Sequence, residues 1–303
     1  MKLIKTKKAV NIFNTLLFLL PALIIYTLFR MGPAIASLFY GITDWNGLSK
    51  DYNFIGFSNY LEAFGDPLFR TAVKNTILYS VVVVFLQNGL GLFFAVLLDK
   101  QWLRGRNFFR VTLFFPAVLN TAAICFIWGT ILSPTIGIWK PVTQALGIST
   151  LLPSDLLGSS GSALITVALV NVWQYIGYSM VIYLAGLQSV SKDYYEAAAI
   201  DGCSEYKMFW KITLPLIAPS ITINIILTTV GTLKEFEHIY TLTAGGPGNA
   251  SHVMGTAIYQ VAFGSTQRFG YGIAISTMLM LAICAITILQ RRIMRKVEGD
   301  YEV

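Results

Sequence analysis

The sequence predicts an all-α polytopic membrane protein with six transmembrane helices, and three observations carry that reading. Composition comes first: of 303 residues, 55% are apolar and only 12% charged, with mean hydropathy +0.64. A soluble domain carries about 25% charge, so this chain could not cover its surface against water. Second, six stretches hold no charged side chain: 9–29, 75–98, 111–139, 156–191, 212–233 and 269–290. Each reaches the roughly 20 residues that a spanning helix needs. Third, 15 of the 22 Lys and Arg fall in segments 2–8, 100–110, 192–211 and 291–296, which six spans place on one side. Basic residues concentrate on the cytoplasmic side, so both termini are expected inside.

The same numbers exclude other classes. Aromatics at 14% exclude disorder. The net charge of +7 reflects cytoplasmic loops rather than a nucleic-acid footprint. Cys125, Cys203 and Cys284 are far apart with no C-x-x-C spacing, so no disulfide framework or metal site is expected.

Taken in order, the first span carries Pro21 and Pro33, which are expected to kink it because proline removes a backbone donor. Its basic start, apolar run and Ala34-Ile35-Ala36 also fit a secretory signal. The run stays apolar through Tyr40 and five more spans follow, so it is read as a retained helix. The second span opens at Asn75-Thr76, and the third is expected to bend at Pro116. Stretch 238–267 is long and uncharged, but Thr-Ala-Gly-Gly-Pro-Gly-Asn-Ala-Ser at 243–251 would leave backbone groups unpaired in lipid. It reads as an outer loop with a short interfacial helix near Met254–Phe263. With no internal repeat or long linker, residues 1–303 read as a single transmembrane domain.

Between spans four and five, the inside loop 187–215 is distinctive. Glu196-Ala197-Ala198-Ala199 favours helix, Gly202 suits a left-handed helix end, and 205–212 can form a second short helix stopped by Pro215. Tyr206, Phe209 and Trp210 would then give a cytoplasmic loop an apolar-aromatic face, which usually seeks a partner.

This loop resembles the signature of the membrane subunits of binding-protein-dependent ABC importers: Glu-Ala-Ala, three residues, Gly, nine residues, Ile-x-Leu-Pro. The matching positions are Glu196, Ala197, Ala198, Gly202, Ile212, Leu214 and Pro215. Further matches resemble the carbohydrate permeases of the maltose-transporter type. They are Phe54-x-Gly56-x-x-Asn59-Tyr60, Asn75-Thr76, Phe236-x-x-Ile239-Tyr240-x-Leu242-Thr243-x-Gly245-Gly246-Pro247 and Gly270-Tyr271. The resemblance implies a type I ABC importer transmembrane domain in the bacterial cytoplasmic (inner) membrane. It implies a second, different permease subunit, two ATPase subunits and an extracytoplasmic solute-binding protein as partners. ATP and Mg would reside on the ATPases, with no cofactor on this chain. Glu196 would pair with a basic ATPase residue, Gly202 would set the turn, and Tyr206, Phe209 and Trp210 would fill a cleft.

Polar groups inside spans are costly and face cavities or other helices. Asn171, Gln174, Tyr175 and Tyr178 in span four lie on one helical face by their spacing. Span five offers Asn224, Thr228, Gly231 and Thr232, and span three offers Asn120 and Thr121. Amides, hydroxyls and aromatic faces suit a sugar, and the resemblance places solute contacts on these spans. Interhelical hydrogen bonding is the alternative use of the same groups.

An ion-coupled secondary transporter should carry buried Asp, Glu or His in its spans, and the six stretches hold none. An integral membrane enzyme needs a nucleophile–base pair or metal ligands. The two histidines, His238 and His252, fall outside the spans without such spacing, so no catalytic residue or metal ligand is expected. The chain lacks G-x-x-x-x-G-K-[ST], so nucleotide belongs to a partner. The solute stays open between a sugar and a related polar solute such as a sugar acid or glycerol phosphate. Lys234, Glu235 and Glu237 at the outer lip of span five bear on that choice.

Overall fold

The computed structural model describes residues 15–100, 102–147, 153 and 155–299. The terminal residues, on which the expected orientation partly draws, lie outside that range. Helices dominate, and the isolated bridge between Thr43 and Phe54 is the β-pairing among the described residues. The chain divides into two compact units: residues up to Ala63 with Gln260–Met278, and Phe64–Tyr259 with the segment from Leu279 onward.

In the first unit, α1 (Thr15–Tyr40) is apolar and exposed throughout its hydrophobic positions, as a lipid-facing helix should be. A π-turn, Thr27–Met31, lies just ahead of Pro33, while the helix runs on through Pro21. The wider turn accommodates the missing proline donor. Beyond α1 the chain folds into a small compact region. Buried Asn59, on α2 (Ser58–Gly65), donates from its amide to the carbonyls of Gly41 (3.0 Å) and Thr43 (2.9 Å). Gly56, at φ +61°, makes the turn that delivers it. Tyr40 stacks on Trp45 at 4.3 Å, and the Gly270 amide donates to the Trp45 carbonyl at 2.7 Å. A Cβ at Gly270 would lie 2.2 Å from the Thr43 oxygen, which explains glycine there. Arg268 forks onto Glu62 through two 2.6 Å bonds.

The second unit is built on α3 (Pro67–Asp99), capped by Asp66, whose carboxylate accepts from the Leu68 amide. At 33 residues it is about 50 Å long. It packs along α7 (Ala163–Ser189) through two apolar clusters. Tyr79, Val83, Val167 and Val172 fill one, and Leu98, Met180, Tyr183 and Leu187 the other. Gly91 permits close approach, since a Cβ there would meet Ser179 at 2.7 Å.

The third and fifth expected spans are broken rather than continuous. Helices α4 (Arg106–Val118) and α5 (Thr121–Ile131) meet at 99°. Pro116 lies within the last turn of α4, and Asn120 caps α5 by accepting from the Ala123 amide. Helices α9 (Glu205–Leu216) and α10 (Ala218–Leu233) meet at 67°. Four helices are long and apolar enough to cross a membrane, rising to six if each bent pair counts as one span. Three short helices complete the second unit: α6 (Trp139–Ala145), α8 (Lys192–Ile200) and α11 (Glu237–Thr243). Stretch 238–267 is a folded loop plus α12 (Met254–Phe263), with α11 as a helix the sequence reading did not foresee. The last helix, α13 (Phe269–Gly299), runs from the first unit into the second.

Candidate solute path and coupling surface

The loop between α7 and α10 forms two helices joined by a specific turn. Ser191 caps α8 by accepting from the Asp193 amide. At the other end, Gly202 adopts φ +72°, its amide donates to the Ala199 carbonyl, and the Cys203 amide donates to Ala198. This paired closure with a left-handed residue is a Schellman motif. Glu196, Ala197 and Gly202 are exposed, while Ala198 is buried. Helix α9 continues past the expected stop at Pro215, because a π-turn at Phe209–Thr213 absorbs the missing donor. Tyr206 and Trp210, one turn apart with rings 6.2 Å apart, are 74% and 54% exposed. Phe209 instead turns back, half-buried, toward Phe93 and Val96 of α3. Ile212, Leu214 and Pro215 are half-buried on the way into the broken span. Lys100, at the end of α3, hydrogen-bonds Glu205 at 2.8 Å and holds that carboxyl below the usual carboxylate range.

Inside the second unit, a cavity of about 330 Å³ opens between α7 and α10. Asn171, Tyr175, Tyr178, Thr228, Gly231 and Thr232 line it, together with Gln87 and Glu235. Gln174 is fully buried behind this wall. Its amide nitrogen lies 3.3 Å from the Thr121 hydroxyl and its amide oxygen 2.8 Å from His238 Nε2. Asn120 lines neither this cavity nor the adjoining one of similar size around Lys234, Phe236 and His238; its side chain caps α5. Thr232 serves both uses foreseen for such groups, lining the cavity and bonding Ser80 at 2.7 Å. Asn224 is buried away from the cavity, with Ser179 donating to its carbonyl oxygen at 3.4 Å.

Glu235 and His238 have a place that the sequence reading missed. The break after α10 turns both inward: the Glu235 carboxylate is 10% exposed and the His238 ring 2%. Their separation of 3.1 Å makes a buried pair against α7. Gln87, a polar residue in the apolar run of α3, also faces the cavity and donates to Ser179 at 2.9 Å. Its position inside a span was the available signal.

Asn75 and Thr76 have a defined task. The Asn75 amide donates to the carbonyls of Ala250 (2.8 Å) and His252 (2.9 Å), and the Met254 amide donates to Thr76 at 2.8 Å. Together they tie the 244–253 loop to α3. Gly245, at φ +85°, lies against His252, where any Cβ would overlap the ring. Burial pushes the His252 imidazole below its ordinary value. A larger space of about 630 Å³, lined by Val81, Phe85, Leu92, Ile225 and Ile286, is apolar and offers little to a polar solute.

Residues 87–299 match the family model of the binding-protein-dependent transport system inner membrane component. The chain belongs to this family. The permease is 33% identical over 277 residues to the probable ABC transporter permease protein YurN of Bacillus subtilis, covering 91% of this chain and 94% of that one. It is 32% identical over 295 residues to the multiple sugar-binding transport system permease protein MsmF of Streptococcus mutans, covering 96% and 99%. Its fold superposes on a crystal structure of a bacterial ABC transporter involved in import of the acidic polysaccharide alginate. There the TM-score is 0.82 at 22% identity, covering 98% of this chain and 99% of that chain. The permease is therefore a membrane-spanning ABC importer subunit, and its helices adopt the fold of that class.

Proposed function

We propose that this chain forms half of the translocation path of an ATP-driven importer for a sugar or oligosaccharide. An extracytoplasmic binding protein delivers the solute, a second and different permease completes the path, and two ATPase subunits supply and bind the nucleotide and Mg. The chain sits in the bacterial cytoplasmic membrane with both termini inside. The observation that carries the solute class is the cavity wall of Asn171, Tyr175, Tyr178, Thr228 and Thr232: amides, hydroxyls and aromatic faces with apolar surroundings. Ring faces stack on sugar C–H surfaces while amides and hydroxyls bond sugar hydroxyls. The names of relatives such as MsmF point the same way.

Glu196, Ala197, Ala198 and Gly202 form the docking turn for the ATPase. Tyr206 and Trp210 supply its exposed anchor, supported by Phe209 and by Ile212, Leu214 and Pro215 leading into α10. An exposed aromatic pair that a partner covers, with one charge contact beside it, is a common anchor chemistry. A sugar acid or glycerol phosphate is the second reading, favoured by Lys234 beside the cavity. The test is ATPase stimulation in the reconstituted complex by binding protein loaded with neutral, uronate or phosphorylated solutes. Stimulation by neutral sugars supports the first reading, by anionic ones the second. Transport by this chain without an ATPase would overturn both.

A further inference from the structure

Glu235 is surrounded by donors. Its Oε1 accepts from the backbone amides of Phe236 (3.0 Å) and His238 (3.1 Å) and faces His238 Nδ1 at 3.1 Å. Its Oε2 accepts from the Tyr79 hydroxyl (3.3 Å) and the Asn171 amide (3.2 Å). Four N–H and O–H donors on two oxygens, with the His238 ring against Oε1, leave no lone pair for a solute, although the residue lines the cavity. His238 extends the chain of contacts: Nε2 donates to the Gln174 carbonyl oxygen at 2.8 Å. The Asn171 amide nitrogen also lies 3.4 Å from Nδ1, so ring, carboxylate and amide meet at one point.

An Asn amide can present either its nitrogen or its oxygen, and only its bonding network decides which. At Asn171 the carboxylate decides, because only the NH₂ group can donate to it. The amide oxygen is left for the cavity that Asn171 lines. We propose that Glu235, held by His238, is a positioning residue that turns the Asn171 carbonyl into the solute cavity as a fixed acceptor for hydroxyl groups. This rests on the sugar reading above and deepens it: the wall then reads O–H donors, the groups a saccharide supplies in number. The same carboxylate bonds the first amides of α11, so the break after α10 and the amide on α7 are set together.

A donor–acceptor exchange tests this in the complete transporter reconstituted with its ATPases and binding protein. Uptake of labelled maltotriose, raffinose and cellotriose is measured, with apparent KM for loaded binding protein separated from kcat. Glu235→Gln places two amides face to face and should cut kcat about tenfold with KM unchanged, as for loss of a bond to a charged partner. Asn171→Asp opposes two carboxylates and should also cut kcat. The double variant Glu235→Gln with Asn171→Asp restores one donor facing one acceptor and keeps an acceptor toward the cavity, so kcat should return to within about threefold, a coupling that independent sites do not show. Should Glu235→Gln fail to assemble, the double variant decides alone: regained assembly and uptake support the proposal, and no gain overturns it. Unchanged kcat in Glu235→Gln, or a double variant as poor as the product of the singles, overturns the inference while leaving the sugar reading intact. Wild-type protein that transports none of the three sugars overturns that reading and this inference with it.

Discussion

Gly202 occupies a conformation that L side chains reach only with strain, yet the space around it is open: a Cβ there would meet nothing within 4 Å. Its substitution therefore tests backbone conformation without steric clash. Gly202→Val should cost roughly 1–2 kcal/mol locally and unwind the closure onto Ala198 and Ala199. The expected result is a transporter that inserts and assembles but loses solute-stimulated ATPase activity. Normal stimulation would mean the left-handed turn does not set the docking geometry. Gly177 is the opposite case, because a Cβ there would lie 2.1 Å from the Leu113 carbonyl oxygen, in backbone that cannot step aside. Gly177→Ala should destabilise by about 1–3 kcal/mol, the usual cost of overpacking. The measurement is the melting temperature of the purified complex, and an unchanged value would show that α4 yields.

At the scale of elements, the Lys100–Glu205 bond links the end of α3 to the start of α9. Glu205 titrates below its unfolded value, so its stabilising contribution is present above the unfolded pKa and lost as pH falls through the depressed one. Wild type and Glu205→Gln should differ in melting temperature at neutral pH and converge in acid; a difference that persists in acid would assign it to something other than this bond. Whole helices of this kind were legible in the sequence, since unbroken apolar runs gave α3, α7 and α13 directly. The turn at Gly202 was legible too, because Glu196-Ala197-Ala198-Ala199 favours helix and glycine suits its left-handed end. The breaks were not. Pro116 and the cap at Asn120 mark where α4 ends and α5 begins, but local pattern does not separate a 99° corner from a proline kink. Nor could local pattern show that Glu235 and His238 point inward: charge at the end of an apolar run normally marks the water boundary. Only the turn between α10 and α11 carries them back against Asn171 and Gln174.

For the whole molecule, the orientation follows from loop charges and is checked by single-cysteine labelling after replacement of Cys125, Cys203 and Cys284. A cysteine at Leu103 should react from the cytoplasmic side and one at Gly248 from the outer side; reversal of either would invert the arrangement. The buried pair at Glu235 and His238 also has an electrical meaning. Each elementary charge carried across a membrane potential is worth about 2.3 kcal/mol per 100 mV, so a mobile helix bearing a lone carboxylate would respond to voltage. Here the six apolar stretches hold no charged side chain, and the Glu235 carboxylate, turned in at the break after α10, sits 3.1 Å from a ring nitrogen of His238 on the same segment. The carboxylate also accepts from the Phe236 and His238 amides, so it moves only as far as its own segment rocks. A carboxylate fixed at the end of α10 crosses little of the membrane field, so the proposed import of an uncharged solute should proceed at a rate that hardly changes with an imposed membrane potential.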